Sequence, residues 1–463
     1  MGAGPSGLLL AHLLLKAGCA SCHVYERRAR PAGSATDKRA YALGLGRRGR
    51  TAVQAASDGV WQAVRAQGFP SERFDLQLPG GGIRIRLRDA VDGGATGEPS
   101  LLLFQTDLCR VLTQELEREW LTTGKLKLAF DTKVTHLDLV RQQLTVVADK
   151  NDNDHDSMSD TSDKNKEDFD LVVGCDGVNS MVRQTMDTVW PAFKTTKELI
   201  PGLFKVVRLD AMPPKLDATA VALVLPIGGS VTAFVEPTID GSCCILFTGN
   251  TATDSLLSST NTTFLQQEIY SRFPLLQGAD LEQAALQLSE KTKITQASLV
   301  KCNTFHYDGK AVLVGDAAHA TGGVSGQGVN SALMDSVALV ASLLQNYKAT
   351  DKQGSLRRAL LAYSQVQVPE GQALYELSFG PNSKSIGKRL LVGIKTVRDS
   401  LFKGRWGIGA LPLRTLLTTS LQSFADLRRD RDELYDEEFP KDEYWRIKLC
   451  ELDATVKSEE MAT

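Results

Sequence analysis

The feature that most constrains the fold is a glycine-rich segment at residues 315–330, GDAAHATGGVSGQGVN. It follows a short apolar run at 311–314, which has the length of a buried strand, and it precedes apolar residues at helical spacing from 331 to 344. The order strand, glycine loop, helix leaves backbone N–H groups unpaired at a helix N-terminus, where an anionic ligand is favoured. Asp316 ends the strand, where a carboxylate can accept a sugar hydroxyl. The alternative is a helix start whose glycines serve only close packing.

Another glycine turn opens the chain, and it is the first of three such turns in chain order. Gly2, Gly4 and Gly7 form a GxGxxG pattern before a predicted helix at 8–16. This pattern lets a pyrophosphate approach a helix N-terminus closely, and Glu26, at the end of the next predicted strand, stands where a carboxylate binds a ribose. Only Met1 precedes Gly2, so we expect the first strand of a doubly wound sheet to be truncated in this sequence.

The second turn in chain order follows the apolar run at 170–174 and contains Asp176 and Gly177, and the segment at 315–330 is the third turn. Between the second turn and the third, four β-rich runs separated by turns predict an antiparallel sheet: 203–209, 219–225, 230–235 and 243–248. Beyond residue 344 the pattern is mostly helical. The sequence therefore predicts an α/β (α+β) protein, in which a Rossmann-like domain carries an inserted antiparallel sheet and is followed by a C-terminal helical region.

Composition excludes several classes of function. The net charge of −2 gives no general attraction to nucleic acid or to anionic membranes. We find no apolar run of the roughly 18 residues that a membrane-spanning helix needs. The eight cysteines are scattered, and Cys243 adjoins Cys244, which fits free thiols in a reducing compartment. Cys19 and Cys22 have redox or metal-ligand spacing, but no second pair of cysteines or histidines accompanies them in the sequence. We therefore expect a packed helix end there and no metal site.

The order and the spacings of the three turns resemble those of a known family. The chain resembles the single-component FAD-dependent aromatic monooxygenases, the p-hydroxybenzoate hydroxylase-like group, and within it the kynurenine 3-monooxygenases. The segments that carry the likeness are 39–49, 300–307, 315–319 and 326–328. The resemblance implies a FAD-binding domain at 1–78, 104–180 and 300–345, a substrate-binding sheet domain at 79–103 and 181–299, a helical region at 346–450 and a polar tail at 451–463.

The resemblance also implies which residues bind FAD. Gly2, Gly4, Ser6 and Gly7 would lie at the pyrophosphate, Glu26 and Arg27 at the adenosine ribose, Arg39 and Gln105 at the phosphates or the ribityl chain, and Val134 at the adenine. Asp176 and Gly177 would shape the pyrophosphate region and the approach of the nicotinamide cofactor. Gly315 and Asp316 would lie at the ribityl chain, and Gly328, Val329 and Asn330 would offer N–H groups to the pyrimidine edge of the flavin.

At the substrate side the sequence departs from the family. Gly323 stands where the family usually carries a proline beside the reacting face of the flavin. Pro99, Ala373 and Arg414 stand at positions where kynurenine 3-monooxygenases use tyrosines and an asparagine to bind kynurenine. Arg84 either keeps a carboxylate-binding role or belongs to a solvated basic strand face with Arg86 and Arg88. We therefore expect an enzyme that does not prefer kynurenine.

The activity implied is hydroxylation of a small aromatic or conjugated substrate, with NADPH or NADH as reductant, dioxygen as co-substrate and a flavin hydroperoxide as oxidant. The alternatives are an epoxidase or reductase on the same scaffold, or a flavin-binding protein with little catalysis. We expect no nucleic-acid partner, a monomer or homodimer, and C-terminal helices that either cap the site or touch a membrane surface. The compartment is open: the cytoplasm is the default, and an organellar signal would precede the missing strand.

Overall fold

The computed structural model describes residues 1–33, 41–71, 73–88, 99–148, 165–290, 295–381, 385–402 and 411–460. The strands of this part of the chain are β1 (Cys22–Tyr25), β2 (Ala42–Leu45), β3 (Phe69–Ser71), β4 (Arg73–Gln77), β5 (Arg84–Arg88), β6 (Ser100–Phe104), β7 (Leu126–Ala129), β8 (Thr132–Asp138), β9 (Gln143–Ala148), β10 (Asn165–Asp168), β11 (Val172–Gly174), β12 (Thr195–Leu209), β13 (Ala220–Val224), β14 (Thr232–Pro237), β15 (Cys243–Gly249), β16 (Thr295–Cys302), β17 (His306–Tyr307), β18 (Ala311–Leu313) and β19 (Ala320–Thr321).

The helices are α1 (Pro5–Lys16), α2 (Arg47–Ala56), α3 (Asp58–Arg65), α4 (Gln105–Trp120), α5 (Met181–Val189), α6 (Ser255–Ser258), α7 (Thr262–Arg272), α8 (Leu281–Glu290), α9 (Gly328–Asn346), α10 (Lys352–Phe379), α11 (Ile386–Phe402), α12 (Leu413–Thr419), α13 (Phe424–Arg429) and α14 (Asp442–Glu460). The mixture of parallel and antiparallel strands with a helical C-terminal region confirms the predicted fold class.

Two short sheets meet around the first residues of the chain. Strand β1 pairs in parallel with β7, and β11 pairs in parallel with β18. The amino group of Met1 donates to the Val173 carbonyl at 2.7 Å, and Gly2 N–H donates to the Tyr25 carbonyl at 2.8 Å. Met1 and Gly2 therefore occupy the place between β1 and β11, with α1 and α9 packed beside them.

The largest sheet has eight strands in the order β19-β16-β12-β15-β14-β13-β4-β5. All neighbours are antiparallel except β13 and β4, which run parallel. The four runs that the sequence predicts as an antiparallel sheet are β12 to β15, and they pair antiparallel with one another. Side chains alternate between the two faces. Val207, Val235 and Phe247 pack in a core with α7 and α8, and Val206, Phe234 and Leu246 face a cavity on the opposite side.

The structure bears on two predicted boundaries. Strand β4 lies in the eight-stranded sheet although the predicted sheet domain begins at residue 79, and β6 pairs with β2 and β3 in a separate sheet. Helix α3 ends at Arg65 and β3 begins at Phe69, whereas the sequence pattern predicts one helix over 62–69. Both differences arise at short strands, because runs of three to five residues carry little periodicity.

The C-terminal region packs on the rest of the molecule. Helices α13 and α14 contact α10, and α10 contacts α9. The buried Arg48 guanidinium donates to the Leu417 carbonyl at 2.7 Å and also to the Gln422 carbonyl, and it lies 4.1 Å from the ring centre of Phe424. Arg48 belongs to the arginine-rich segment at 39–50, for which the sequence leaves open either a solvated face or contacts with phosphates. In the structure it binds the C-terminal segment to α2.

Helix α9 is the one helix among the described residues that is long and apolar enough to cross a membrane. Half of its apolar window is buried, and it packs against α1, α2 and α10. These contacts fit a core helix of the folded chain, because such a helix passes the same test of length and composition.

Candidate active site

The three glycine turns line one cavity of about 2200 Å³. The cavity extends from the start of α1 to the face of the eight-stranded sheet that carries Phe234. The predicted site residues that line it are Gly2, Gly4, Ser6, Glu26, Arg27, Gln105, Val134, Asp176, Gly177, Asp316, Gly323, Gly328 and Val329. Residues that lie far apart in the sequence are thus brought together in one continuous space.

The glycines of the first turn are required for different reasons. Gly2 has φ +94°, and a β-carbon there would lie 2.3 Å from the Cys175 carbonyl oxygen. A β-carbon at Gly7 would lie 2.1 Å from the Gly2 carbonyl oxygen, whereas one at Gly4 would meet no protein atom within 4 Å. Packing therefore fixes Gly2 and Gly7, and Gly4 borders open cavity at the uncapped N-terminus of α1.

Glu26 holds this turn to the end of β1. One carboxylate oxygen accepts from Ala3 N–H at 2.9 Å, and the other accepts from Arg28 N–H at 3.0 Å. The side chain is orientated by these bonds at the cavity wall. A carboxylate oxygen has two lone pairs, so each oxygen retains capacity for a ligand hydroxyl.

The second turn is tied to the third by an arginine. Asp176 Oδ2 accepts from Met181 N–H at 2.7 Å, and Asp176 Oδ1 is buried without a partner among the described residues. Arg183 Nη1 donates to the Ala317 carbonyl at 2.8 Å, and its Nη2 donates to the Val178 carbonyl at 2.7 Å. Sequence reasoning missed this role of Arg183, because nothing in the local pattern shows which carbonyls it reaches.

The third turn is held by a buried ion pair. Asp335 Oδ2 accepts from His319 Nε2 at 2.7 Å and from Gly315 N–H at 3.0 Å. Burial alone lowers the pKa of His319, but the attraction of Asp335 outweighs it and the pKa is raised. Burial raises the pKa of Asp316, and the charge of Asp335 adds to that rise. His319 does not line the main cavity, so its contacts are those of a residue that holds the loop.

The sequence alone indicates that Asp335 has a buried partner, although the predictions above do not include this residue. It is the one charged residue in the predicted apolar helix from 331 to 344. A charge at a buried helical position requires a partner, and His319 lies in the adjacent loop.

The N-terminus of α9 combines main-chain and side-chain contacts. Gly328 and Val329 line the cavity. The buried Asn330 side chain accepts from Gly46 N–H at 2.8 Å and Gly49 N–H at 3.2 Å, and it donates to the Gly44 carbonyl at 2.9 Å. The Asn330 side chain therefore organises the start of α2, and only its main chain belongs to the first turn of α9.

The loop before α9 has an unusual backbone. Gly322, Gly323 and Gly326 have φ values of +64°, +78° and +67°. A β-carbon at Gly323 would meet no protein atom within 4 Å, and the residue lines the cavity. Since proline fixes φ near −65°, this path of the loop is incompatible with the proline expected from the family resemblance.

Four of the predicted site residues that the structure describes do not line the cavity. Gly7, Gly315 and Asn330 are buried behind the cavity wall, and Arg39 lies outside the described residues. Arg84 is exposed on β5, with a guanidinium nitrogen 3.9 Å from Asp75, whereas its neighbour Ile85 lines the cavity. The alternation of β5 thus turns Arg84 away from the cavity, as expected for a solvated basic face.

Comparison with known proteins identifies the class. The family described as "FAD binding domain" matches residues 1–377, and the chain belongs to this family.

The curated relatives give the enzyme type. Kynurenine 3-monooxygenase of Stenotrophomonas maltophilia is 26% identical, over 93% of this chain and 88% of that protein. The enzyme of the same name from Salinispora arenicola is 29% identical, over 82% of this chain and 77% of that protein. The protein is an FAD-dependent monooxygenase that is similar to the kynurenine 3-monooxygenases.

Solved structures share the fold. The tetrameric form of 2-methyl-3-hydroxypyridine-5-carboxylic acid oxygenase has a TM-score of 0.61 at 16% identity, over 95% of this chain and 98% of that chain. PqsL of P. aeruginosa, solved in complex with 2-aminobenzoylacetate, has a TM-score of 0.60 at 19% identity, over 82% of this chain and 93% of that chain.

The residues present fit FAD. Asp176 Oδ1, Thr321 Oγ1 and Gln327 Oε1 are buried at residues that line the cavity, and they have no partner among the described residues. Gly4 and Gly328 stand at helix N-termini where a β-carbon would meet no protein atom within 4 Å. The volume of about 2200 Å³ exceeds the roughly 300–1,000 Å³ of an ordinary ligand pocket, which leaves room for a second molecule.

Proposed function

We propose that this enzyme uses NADPH or NADH and dioxygen to hydroxylate a small aromatic or conjugated substrate, and that kynurenine is not its preferred substrate. The observation that carries the proposal is one cavity that joins all three turns to an apolar face of the eight-stranded sheet. When bound, FAD supplies the hydride acceptor and activates oxygen. The polypeptide binds and orientates the reactants and excludes water from the reacting centre.

Individual residues take distinct roles in this proposal. The turn from Gly2 to Gly7 binds the pyrophosphate at the N-terminus of α1, with Glu26 at the ribose. Asp316 accepts hydroxyls of the ribityl chain. The N–H groups of Gly328 and Val329 lie at the positive end of α9, where they would hold the flavin edge and favour negative charge on it.

The apolar walls exclude water from the reacting centre. Phe74, Leu102 and Phe234 line the sheet side of the cavity, and α12 lines another side. Of the three positions that differ from the kynurenine-binding pattern, Pro99 and Arg414 line the cavity, and Ala373 is buried in α10. None of these three side chains can repeat the contacts of the tyrosines and the asparagine that the family resemblance implies, which supports a preference for a different substrate.

The test is turnover by the purified protein reconstituted with FAD. NADPH and NADH oxidation are followed separately with a panel of aromatic compounds, and products formed under ¹⁸O₂ are analysed by mass spectrometry. We expect a substrate-stimulated rate and one labelled oxygen atom in the product, with kynurenine a poor substrate. Efficient conversion of kynurenine would refute the specificity, and labelled epoxide or unlabelled reduced product would favour the epoxidase or reductase alternatives.

A catalytically weak flavin-binding protein is the remaining alternative. It predicts a yellow protein in which no added compound speeds the oxidation of NADPH or NADH.

Peripheral membrane contact is a prediction that concerns α11, where Leu390 and Ile394 are exposed one helical turn apart. Flotation with liposomes tests it, and sedimentation tests the expected monomer or homodimer.

A further inference from the structure

A second, smaller cavity lies beside the third turn. It has a volume of about 120 Å³ and lies between β16, α10 and α14, and no described residue lines both this cavity and the main one. Three residues in its wall carry or can carry a positive charge: Lys301 of β16, His319 of the third turn and Lys448 of α14. No aspartate or glutamate of the described chain lines it. The positive groups of this cavity therefore face no negative one among its described lining residues.

His319 has one ring nitrogen without a partner. Its Nε2 donates to Asp335 at 2.7 Å, whereas its Nδ1 has no hydrogen-bond partner among the described residues. Burial alone lowers the pKa of His319, but the attraction of Asp335 outweighs burial and raises the pKa, which favours the doubly protonated ring. The side chain is only 7% exposed. A buried Nδ1–H group at the wall of the smaller cavity therefore lacks an acceptor.

The two lysines also lack a negative partner. Lys301 Nζ lies 3.3 Å from the centre of the Tyr375 ring, and Lys448 Nζ lies 5.4 Å from the centre of the Trp445 ring. Within the described part of the chain no carboxylate oxygen lies within 4.0 Å of either ammonium group. The indole N–H of Trp445, which lines the same cavity, is buried without an acceptor. An ammonium group on an aromatic face still has N–H donors to offer, and the four-carbon stem of lysine lets the group turn toward the cavity.

The folded chain alone does not explain this arrangement. Asp335 offsets the charge of His319, but no described carboxylate offsets the charges of Lys301 and Lys448. Positive groups around a space without a counter-charge repel one another, and an anion in that space would accept charge-assisted hydrogen bonds from them. Since roughly 10–15 Å³ of such space is enough for one water molecule, the cavity has room for a five-atom oxyanion and is too small for a nucleotide.

We propose that the smaller cavity binds a small tetrahedral oxyanion such as inorganic phosphate. Lys301 and Lys448 bind the ion from β16 and α14, and His319 donates its Nδ1–H from the third turn. The ion joins these two elements to the loop whose Gly315 N–H is held by the same Asp335 oxygen as His319. The proposal goes beyond the proposed function and does not depend on it, since no described residue of this site lines the main cavity.

The experiment measures anion binding to the FAD-loaded protein by isothermal titration calorimetry. Inorganic phosphate, sulfate and chloride are titrated separately at one ionic strength, because charge screening then affects all three titrations equally. We expect one saturable site for phosphate with a Kd below about 1 mM, a similar Kd for sulfate, and binding of chloride that is at least about tenfold weaker, because chloride has no separate oxygen atoms for several donors. Phosphate at about ten times its Kd should raise Tm by about 1–3 °C.

Substitutions assign the site. Lys301→Gln and Lys448→Gln should each weaken phosphate binding about tenfold, and the double variant should bind no phosphate that calorimetry detects. Lys441→Gln, an exposed change just before α14, is the matched control for Lys448→Gln and should bind phosphate like the parent. Lys133→Gln is a second control, because Lys133 is exposed and lines the main cavity. Flavin content and circular dichroism are compared in every variant.

Three results would each overturn the proposal. The first is the absence of a saturable phosphate site at millimolar concentration, and the second is equal affinity for phosphate and chloride. The third is weaker phosphate binding in Lys133→Gln with none in Lys301→Gln, which would assign the ion to the main cavity. Hydroxylation of aromatic compounds is measured separately, so failure of the anion site and failure of the proposed function are distinguishable.

Discussion

At the scale of single residues, Gly2 and Gly4 show that glycines in one turn can serve different needs. Gly2 is required by the protein itself, because its φ is positive and the Cys175 carbonyl lies against it. Gly4 has an ordinary φ of −74° and open space beside it. A side chain at position 4 would therefore weaken ligand binding more than it would weaken folding.

Gly4→Val tests this distinction. The valine should fill the space at the start of α1 and reduce FAD retention by at least about tenfold, with the melting temperature of the apoprotein little changed. The measurements are flavin content after gel filtration and thermal unfolding of the apoprotein.

Gly82→Val is the matched control, since a β-carbon at Gly82 also meets no protein atom but the residue lies outside the cavity. It should retain FAD fully. Equal flavin content in the two variants would contradict the role given to the space beside Gly4.

A second prediction at the scale of single residues concerns Glu236 and the pH dependence of the free energy of unfolding. Its folded-state pKa of about 7 is above the ordinary 4.5, so the folded protein binds more protons than the unfolded chain between these values, and the contribution of Glu236 to stability falls as pH rises through them. Glu236→Gln removes this loss. The difference in unfolding free energy between this variant and the parent protein should therefore shift by about 1–3 kcal/mol in favour of the variant between pH 4.5 and pH 8.

Thermal unfolding at several pH values, without substrate, measures this difference. The groups across the sheet from Glu236 are Cys244 and, one strand further, Arg208, which is already engaged by Asp240 at 2.9 Å. A constant difference between variant and parent over this range would show that Glu236 titrates normally.

At the scale of elements, α9 organises the site. Asn330 binds the main chain at 44–49, Asp335 binds His319 and Gly315, and Ser336 donates to the Ser6 carbonyl of α1 at 3.1 Å. These three side chains connect the first and third turns and the start of α2. The position of the cavity walls therefore depends on one helix.

Asp335→Asn tests this dependence. It removes the charge that holds His319 and leaves the imidazole buried, so we expect a loss of about 3 kcal/mol of stability and weaker FAD retention. Urea unfolding and flavin content measure the two effects.

Ser342→Ala on the same helix is the control. It removes a hydrogen bond of 2.7 Å to the Ala359 carbonyl, away from the cavity, and should reduce stability by about 1 kcal/mol without loss of FAD. A loss of FAD as large as in Asp335→Asn would show that α9 acts through general stability alone.

At the scale of the whole molecule, the sequence predicts the strand–turn–helix order well because apolar periodicity and glycine turns are local signals. The side chains that join these turns, Arg183 and Asn330, act over long sequence separations, and no local pattern shows their partners. Arg48 illustrates the same limit, since composition cannot distinguish a phosphate from the carbonyls of 417 and 422. Glu236 ends an ordinary strand pattern, and only the folded sheet shows that it faces a cavity.

The C-terminal helix α14 is attached to the rest of the molecule by a buried cluster. Asp453 accepts from His306 at 3.2 Å and from Arg357 at 2.9 Å. Burial alone raises the pKa of Asp453, but these hydrogen bonds and charges outweigh it and the pKa is lowered. Its contribution to stability is therefore complete above the ordinary 3.8 and is lost as pH falls through the lowered value.

Asp453→Asn should therefore be less stable than the parent by about 3 kcal/mol at neutral pH, and this difference should shrink below about pH 4. Thermal unfolding by circular dichroism at pH 7 and pH 3.5 measures it. Glu451→Gln, an exposed change on the same helix, should match the parent at both values. A difference that persists in acid would mean that shape, not charge, holds α14.

The backbone at Gly323 limits which residues this position accepts. Because its φ of +78° lies outside the range of proline, exchanging this one residue cannot convert the loop into the form expected from the family resemblance. The main chain from 321 to 326 would have to change path at the same time. A proline at position 323 would therefore be accepted only together with further changes in the neighbouring residues of this loop.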